Sequence, residues 1–326
     1  MPSRLMPRSH EAWLLVVVLL LCILLSILSP AFLTFRNAQD LITTNAFTAI
    51  LAAGLLVVLV SGGIDISFTA TATVAQYLAF TVANAYDVGW LGIVAIVSGV
   101  GISLGLLNAV LIQILRIPSI IATLATLNVY YGLLIFVTRG DYIYALPQWF
   151  NSGIELFAFR DGDGNYFSLN LQILATVLVF AATWLILRYM RLGRQITAFG
   201  GNREAARRLG LPILKLQCFV YGWMGFCAGI ASLVQAQLAQ SIAPTVLVGR
   251  ELDVLAAVVL GGASLMGGVG TVLGTILGLA LVAILQNGLI LAGFSSYWSG
   301  FATGLVIVVA VCATAYRTNR AEALVK

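Results

Sequence analysis

The chain alternates long apolar runs with short polar breaks, and this pattern predicts a bundle of membrane-spanning helices. A helix needs about 20 apolar residues to cross the ~30 Å hydrocarbon core of a bilayer. Runs of this length recur along the sequence, as at residues 13–28, without the two-residue alternation of membrane β-barrel strands. Reading the runs between breaks predicts ten spans, at residues 12–30, 45–62, 68–86, 90–114, 119–138, 169–188, 216–240, 252–266, 270–292 and 296–314.

The composition agrees with an all-α integral membrane fold. Hydrophobic residues make up 61% of the 326 residues and charged residues 9%, and the mean hydropathy is +1.03. A soluble domain of this length needs far more charge to cover its surface. The four cysteines lie in apolar runs without CxxC spacing, which is typical of buried small apolar residues and not of a disulfide frame or metal site.

The distribution of basic residues predicts the orientation. With a cytoplasmic N-terminus, the inner segments hold 13 of the 17 basic residues, and the outer segments hold only Arg36, Arg139, Arg160 and Arg250. Positive charge is enriched on the cytoplasmic side, so ten spans with both termini inside are expected. The basic excess therefore indicates membrane orientation and not nucleic-acid binding. The predicted domains are an N-terminal tail over 1–11, a transmembrane domain over 12–316 and a cytoplasmic tail over 317–326.

Two loops of the transmembrane domain are long. The outer loop 139–168 contains DGDG at 161–164, which is similar to the start of a calcium-binding loop. The bidentate Glu that such a loop needs at a later position is missing, so a polar turn is predicted there. The inner loop 189–215 is strongly basic and is the predicted site of coupling to a partner.

Several chemistries are excluded by the residues that are present. The only lysines, Lys215 and Lys326, are not flanked by the glycine and hydroxyl residues of a nucleotide-binding P-loop. His10 is the only histidine, which excludes a Ser-His-Asp triad and histidine-based metal sites. We therefore expect no catalytic residue, no metal site and no cofactor bound by this chain.

The inner loop predicts a short amphipathic helix. Residues 204–210 read EAARRLG, a run of helix formers that ends at Gly210, with Pro212 beyond it. The sequence Gly-Gly-Asn at 200–202 predicts a break, and Asn202 is a suitable N-cap. One interpretation is an interfacial helix whose arginines bind anionic lipid head groups. The other is a docking helix for a cytoplasmic partner, in which Ala205 and Ala206 permit close approach.

Several short motifs along the chain resemble those of one family of membrane transport proteins and occur in the same order. The EAA-x-x-x-G pattern at 204–210 resembles the loop by which permeases of ATP-binding-cassette (ABC) transporters dock on their ATPase. Further motifs are SGGIDIS at 61–67, IPSIIATL at 117–124, GN at 201–202, ELDV at 251–254, GG at 261–262 and GGVG at 267–270. Together, over residues 40–310, the chain resembles the ribose/xylose-type sugar permeases of bacterial ABC importers. It departs at Phe68 and Thr69, where relatives usually have a small residue and glycine.

The resemblance implies a working complex and a set of site residues. The implied complex lies in the bacterial inner membrane. It contains a second permease subunit, identical or homologous, two cytoplasmic ATPase domains that hold ATP and Mg, and a periplasmic sugar-binding protein. The implied ATPase-coupling residues are Asn202, Arg203, Glu204, Ala205, Ala206, Arg207, Arg208 and Gly210. The predicted substrate-pathway residues are Asn45, Ser61, Gly62, Gly63, Asp65, Thr123 and Asn128.

Structural roles are the alternative for most of the pathway residues. Asp65 is also placed to cap the next helix, and Thr123 and Asn128 to make interhelical hydrogen bonds. The glycines between 261 and 270 suit close packing and a hinge better than ligand contact.

Two functions remain open from the residues alone. The first is the membrane subunit of an ATP-driven importer of a small polyhydroxylated solute. The alternative is an ion-coupled secondary transporter or facilitator, which would need ionisable groups within the spans. Only Asp65 and Asp253, both near predicted span ends, qualify.

Overall fold

The computed structural model describes residues 10–152, 155–160 and 166–295, together with residues 298, 300, 301, 304, 305 and 308. The helices coincide with the predicted apolar runs to within a few residues over most of the chain. They are α1 His10–Leu28, α2 Phe35–Val60, α3 Phe68–Ala85, α4 Gly89–Leu115, α5 Ser119–Thr138, α6 Gln148–Asn151, α7 Leu171–Arg188, α8 Arg191–Gly201, α9 Arg203–Arg208, α10 Ile213–Ala239, α11 Glu251–Leu260 and α12 Val272–Leu291.

Helix α2 is the central helix of the bundle. Every residue from 49 to 60 is buried, and the helix packs against α7, α8, α10, α11 and α12. A helix that is apolar on all faces can be buried in the interior of a bundle without leaving polar side chains unpaired. The run LAAGLLVVLV at 51–60 has this composition, and its small residues let neighbouring helices approach closely.

Glycines bring α4 and α10 into backbone contact. A Cβ atom added at Gly101 or Gly105 of α4 would overlap the backbone of Gly225 or Tyr221 in α10. A Cβ at Gly225 or at Gly229 would likewise overlap backbone atoms of α4. Both helices thus present the glycine-x-x-x-glycine spacing that permits close helix pairs in membranes.

One end of the bundle gathers the segments that the charge pattern assigns to the cytoplasmic side. Gly268 N donates a hydrogen bond to Val60 O at 2.9 Å, which joins the loop after α11 to the end of α2. Thr271 donates to the carboxylate of Glu11 at 2.6 Å, which brings the start of α12 to the start of α1.

The opposite end gathers the segments assigned to the outer side. Ile143 and Ile242 form an isolated antiparallel bridge with both N–O distances at 3.0 Å. The Asn84 amide donates to Ala145 O at 2.9 Å, which ties the end of α3 to the same loop. This grouping follows the alternation expected of consecutive spans.

Among the described residues, seven helices are long and apolar enough to cross a membrane: α1, α2, α4, α5, α7, α10 and α12. Helix α3 is less apolar, and the predicted span 252–266 is only partly helical. In that span α11 covers Glu251–Leu260, roughly 15 Å at 1.5 Å per residue, and therefore cannot span the hydrocarbon core alone. Gly262, with φ of 90°, ends it in a turn. Most of the predicted span 296–314 lies outside the described residues.

The outer loop contains regular structure that the sequence did not predict. Strands β1 Glu155–Arg160 and β2 Tyr166–Asn170 pair antiparallel with a bulge near Glu155, and α6 precedes them. The predicted polar turn at 161–164 lies between the strands, outside the described residues. Asn170 ends the hairpin and caps α7 by accepting a hydrogen bond from Ile173 N at 3.1 Å.

Candidate functional site

Two short helices form a platform at the end of the bundle that holds loop 61–67. Helix α8 is amphipathic, because Gly193, Ile196 and Phe199 are buried whereas Arg191 and Arg194 are exposed. It occupies the first half of the inner loop 189–215, which the sequence left without structure. The break that the sequence predicts over residues 200–202 falls at Asn202, since α8 continues through both glycines.

The chain turns at Asn202, and this residue caps α9 as predicted. Asn202 has extended backbone angles (φ −155°, ψ 99°), and its side-chain oxygen accepts a hydrogen bond from Ala205 N at 2.9 Å. An Asn at this position satisfies one of the free N–H groups of the first helical turn.

The C-terminal end of α9 is a complete Schellman motif. Gly210 N donates to Arg207 O at 3.0 Å, and Leu211 N donates to Ala206 O at 3.1 Å. Gly210 has φ of 71°, and nothing lies within 4 Å of a Cβ built there. The position therefore requires glycine for its left-handed backbone and not for space.

Helix α9 presents chemically different faces. Glu204 and Arg208 form an exposed i,i+4 ion pair at 3.3 Å, with 62% and 78% of their side-chain surfaces accessible. Ala206 is buried in the core, so only Ala205 of the two alanines is exposed. Arg203 Nη2 donates to Gly62 O at 2.5 Å and fastens α9 to the loop between α2 and α3.

A junction of glycines fastens α8 to the same loop. A Cβ at Gly200 would overlap Val60 O and lie 2.8 Å from Gly268 N, and a Cβ at Gly267 would lie 2.6 Å from Gly62 Cα. This glycine junction (residues 62, 200, 267 and 268) joins α8, the end of α2 and the loop after α11 by backbone contact. The geometry supports the predicted packing role of Gly267 and Gly268.

Loop 61–67 is held by a chain of buried polar contacts. The Asp65 carboxylate accepts hydrogen bonds from Ser67 N at 2.8 Å and from Ser67 Oγ at 2.7 Å. Ser67 Oγ accepts from the Asn108 amide at 2.7 Å, and Asn108 Oδ1 accepts from Tyr130 OH at 3.4 Å. Asp65 is 2% exposed. These contacts favour a structural role over an open pathway position, and they connect α3, α4 and α5. The N-cap of α3 is Ser67, so Asp65 supports the start of this helix through Ser67 and does not cap it as predicted.

We expect Asp65→Ala to destabilise the permease by about 2 kcal/mol, because the buried N–H and O–H of Ser67 lose their acceptor. Asp65→Asn keeps a side-chain oxygen and is expected to cost clearly less. Thermal unfolding of the purified chain measures both. If both variants keep wild-type stability and lose transport equally, Asp65 acts on the solute and not as the acceptor for Ser67.

Four more predicted pathway residues lie in this loop or contact it. Thr123 Oγ1 lies 3.3 Å from Ile64 O and 3.4 Å from Ile66 N, so it supports the loop from α5. Ser61 donates to Val58 O at 2.7 Å at the end of α2. Gly62 turns the chain with φ of 74°, and Gly63 packs against the Tyr221 hydroxyl.

The two remaining predicted pathway residues lie apart from this loop. Asn45 lines a groove of about 640 Å³ between α2, α7 and α12, and its amide donates to Leu41 O at 2.8 Å. Asn128 is exposed on α5 and donates to Leu124 O at 2.8 Å within its own helix. The structure therefore does not bring all seven predicted pathway residues into one cavity.

Sequence reasoning missed a buried contact between the starts of α3 and α11. The hydroxyl of Thr69 donates to the carboxylate of Glu251, and both side chains are buried. Thr69 is one of the two positions where the chain departs from the usual family pattern, and its neighbour Phe68 fills the core. The unusual Thr69 was visible in the sequence. Its hydrogen-bond partner Glu251 was not predictable, because it lies 182 residues away.

The long apolar helices define a multi-pass membrane protein, with α8 and α9 as a polar surface at one end of the bundle. A family model described as "branched-chain amino acid transport system / permease component" matches residues 37–311. The chain belongs to this family, which confirms the predicted resemblance to ABC-importer permeases.

The chain is also similar to several sugar-import permeases. It is 33% identical to the ribose import permease protein of Escherichia coli K12 over 92% of the chain and 94% of the relative. It is 31% identical to the L-arabinose ABC transporter permease protein of Azospirillum brasilense over 97% and 90%. It is 32% identical to the autoinducer 2 import system permease protein of Yersinia pseudotuberculosis over 92% of the chain and 83% of the relative. No solved structure matches the chain.

Proposed function

We propose that this chain is a membrane subunit of an ABC importer that moves a monosaccharide or similar small polyhydroxylated solute across the bacterial inner membrane. A periplasmic binding protein delivers the solute. Two cytoplasmic ATPase domains bind ATP and Mg and supply the energy, and this chain binds no cofactor. The observation that carries the proposal is α9, whose Glu204–Arg208 face is exposed while Arg203 holds the loop between α2 and α3.

The contacts around α9 provide a physical route for coupling. A partner that moves α9 pulls on Gly62 through Arg203 and on the end of α2 through the glycine junction. Loop 61–67 is in turn bonded to α5 and, through Ser67 and Asn108, to α4. Displacement of a docked helix thus biases the arrangement of several membrane helices, which is how such switches operate. In this proposal both termini and α9 face the cytoplasm.

The exposed surface of α5 supports a second permease subunit. Large apolar side chains such as Val129, Leu133 and Phe136 are exposed there, and Asn128 is exposed among them. A primary amide facing lipid is unfavourable, whereas amides at helix interfaces or along wet pathways are common. We infer that α5 faces the second subunit, identical or homologous, and the solute pathway between them.

The polar groups of the bundle suit an uncharged solute. In the described part of the chain, the only buried ionisable acids are Asp65 and Glu251, and both are hydrogen-bonded to hydroxyl groups. An ion-coupled transporter needs a site that changes charge or coordination during transport. The relatives named above import ribose, L-arabinose and autoinducer 2, which agrees with a polyhydroxylated solute.

Charge reversal on α9 is expected to uncouple ATP hydrolysis from transport. Glu204→Lys removes the Arg208 ion pair and places a cation on the docking face, so uptake by the reconstituted importer should fall about tenfold or more. The measurement is ATP hydrolysis and uptake of radiolabelled ribose or arabinose in proteoliposomes. Asp87→Lys, the same charge change at the opposite end of the bundle, is the control and should leave uptake unchanged.

The same proteoliposomes test the proposed function. Uptake that continues without the ATPase subunits and follows a proton or sodium gradient would show a secondary transporter. Uptake of leucine in place of pentoses, with the matching binding protein, would show an amino-acid importer.

A further inference from the structure

A polar pocket of about 520 Å³ lies beside α9, at the end of the bundle that holds the glycine junction. It is enclosed by the C-terminal end of α4, the N-terminal end of α10 and one face of α9. Its polar lining consists of Arg116, Arg203, Arg207, Gln113 and Gln217, and two isoleucines complete the wall. Three guanidinium groups around one cavity are typical of a site for a phosphate group.

The pocket arginines have no acidic partner in the described part of the chain. The only ion pair there is between Arg208 and Glu204, on the exposed face of α9. Arg203 and Arg207 are four residues apart and lie together on the neighbouring face. Like charges gathered in a concave site repel one another, so an anion in the pocket would stabilise the arrangement.

Gln217 also lines the pocket. The residue is 8% exposed, and its Oε1 atom is closed off from the pocket and has no hydrogen-bond partner among the described residues. The groups that the pocket offers to a ligand are therefore the arginine guanidinium groups, which donate to anionic oxygens. A phosphate group meets this requirement.

The depth of the pocket indicates the source of the phosphate. Arg116 follows the last residue of α4, and Gln113 lies one turn further into the membrane domain. Ile114 and Leu115, which lie between them in α4, do not line the pocket but are 70% and 55% exposed, so this end of α4 also carries exposed apolar surface. Basic pockets at the membrane ends of helices, bordered by apolar surface, are suited to lipid head groups.

We propose that this pocket binds the phosphate group of an anionic phospholipid, such as phosphatidylglycerol. Bound there, the head group bridges α9 to the ends of α4 and α10 through Arg207 and Arg116. The lipid therefore holds the coupling helix in place, on the face next to the one left for the ATPase. Lipid binding is expected to change how strongly a movement of the docked ATPase is transmitted to α9 and the membrane helices.

The test measures lipid binding to the full-length purified permease and does not depend on which solute it moves. Native mass spectrometry of the permease titrated with phosphatidylglycerol gives the apparent Kd. Arg116→Gln and Arg207→Gln should each weaken binding about tenfold, the effect of one lost charge-assisted hydrogen bond. Arg208→Gln, which removes the same charge from the exposed face of α9, should not. Phosphatidylcholine, which has no net charge, should bind weakly to all four proteins.

The remaining outcomes decide the source of the anion and the validity of the site. Displacement of phosphatidylglycerol by excess inorganic phosphate, with equal protection of the folded permease by phosphate alone, would overturn the lipid assignment in favour of a soluble phosphate. Equal binding by wild type, Arg116→Gln and Arg207→Gln, with unchanged thermal stability, would overturn the site. So would loss of ATPase association in Arg207→Gln without loss of lipid, because the pocket would then hold an acidic side chain of the partner.

Discussion

Gly200→Ala is expected to destabilise the permease by about 3 kcal/mol and to abolish coupled uptake. The added Cβ would overlap Val60 O and lie 2.8 Å from Gly268 N and 2.9 Å from Ser61 C. All three atoms belong to the backbone, so no side-chain rotation relieves the overlap. The hydrogen bond from Gly268 N to Val60 O, at 2.9 Å, runs through the same space and would be lost.

The adjacent glycine provides a matched control. No atom lies within 4 Å of a Cβ added at Gly201, and its φ is not positive, so Gly201→Ala should keep or slightly raise stability through better helix propensity. Thermal unfolding of both purified variants and retention of the ATPase subunits during purification measure the difference. Equal stability and equal uptake in the two variants would show that the glycine junction does not hold α8.

Gly225→Ala is expected to separate α4 from α10 and to prevent stable assembly of the bundle. Its Cβ would overlap Gly101 O and lie 2.7 Å from Gly101 C, so the two helix axes must move apart along the contact. The cost is about 3 kcal/mol, because the glycine-mediated contact extends over two turns of each helix.

Gly222 lies on the same helix and distinguishes this effect from a general loss of glycine. A Cβ at Gly222 would lie 3.6 Å from Leu106 Cδ2, an ordinary van der Waals distance, so Gly222→Ala should fold normally. The fraction of monodisperse protein in size-exclusion chromatography, together with the unfolding temperature, compares the variants. Monodisperse Gly225→Ala protein with wild-type stability would contradict the proposed packing.

The sequence predicted the features that depend only on residues close together in the chain, namely the long helices and the two ends of α9. Apolar run length located the long helices, since burial of about 20 residues in lipid requires little tertiary information. Asn202 and Gly210 marked the two ends of α9, because capping and left-handed termination are properties of the residues at those positions.

Other features depended on which segments meet in space. The sequence predicted a break over residues 200–202, but it did not show that α8 continues through both glycines and that Gly200 serves close packing there. It also extended the span at 252–266 beyond the end of α11, because apolar composition continues past the turn at Gly262. Composition cannot show where a helix stops when the reason is a backbone contact with another segment.

The sequence by itself determined that this protein is a helical membrane protein with a capped polar helix in its basic loop, and its motifs carried the resemblance to permeases. The helices follow from hydropathy, and the ends of the short helix follow from residues within one or two turns of the chain. The tertiary structure alone decided that Arg203 fastens α9 to Gly62, that Thr69 meets Glu251, and which arginines face the pocket. Each of these joins residues far apart in sequence, and only packing of the helices brings such residues together.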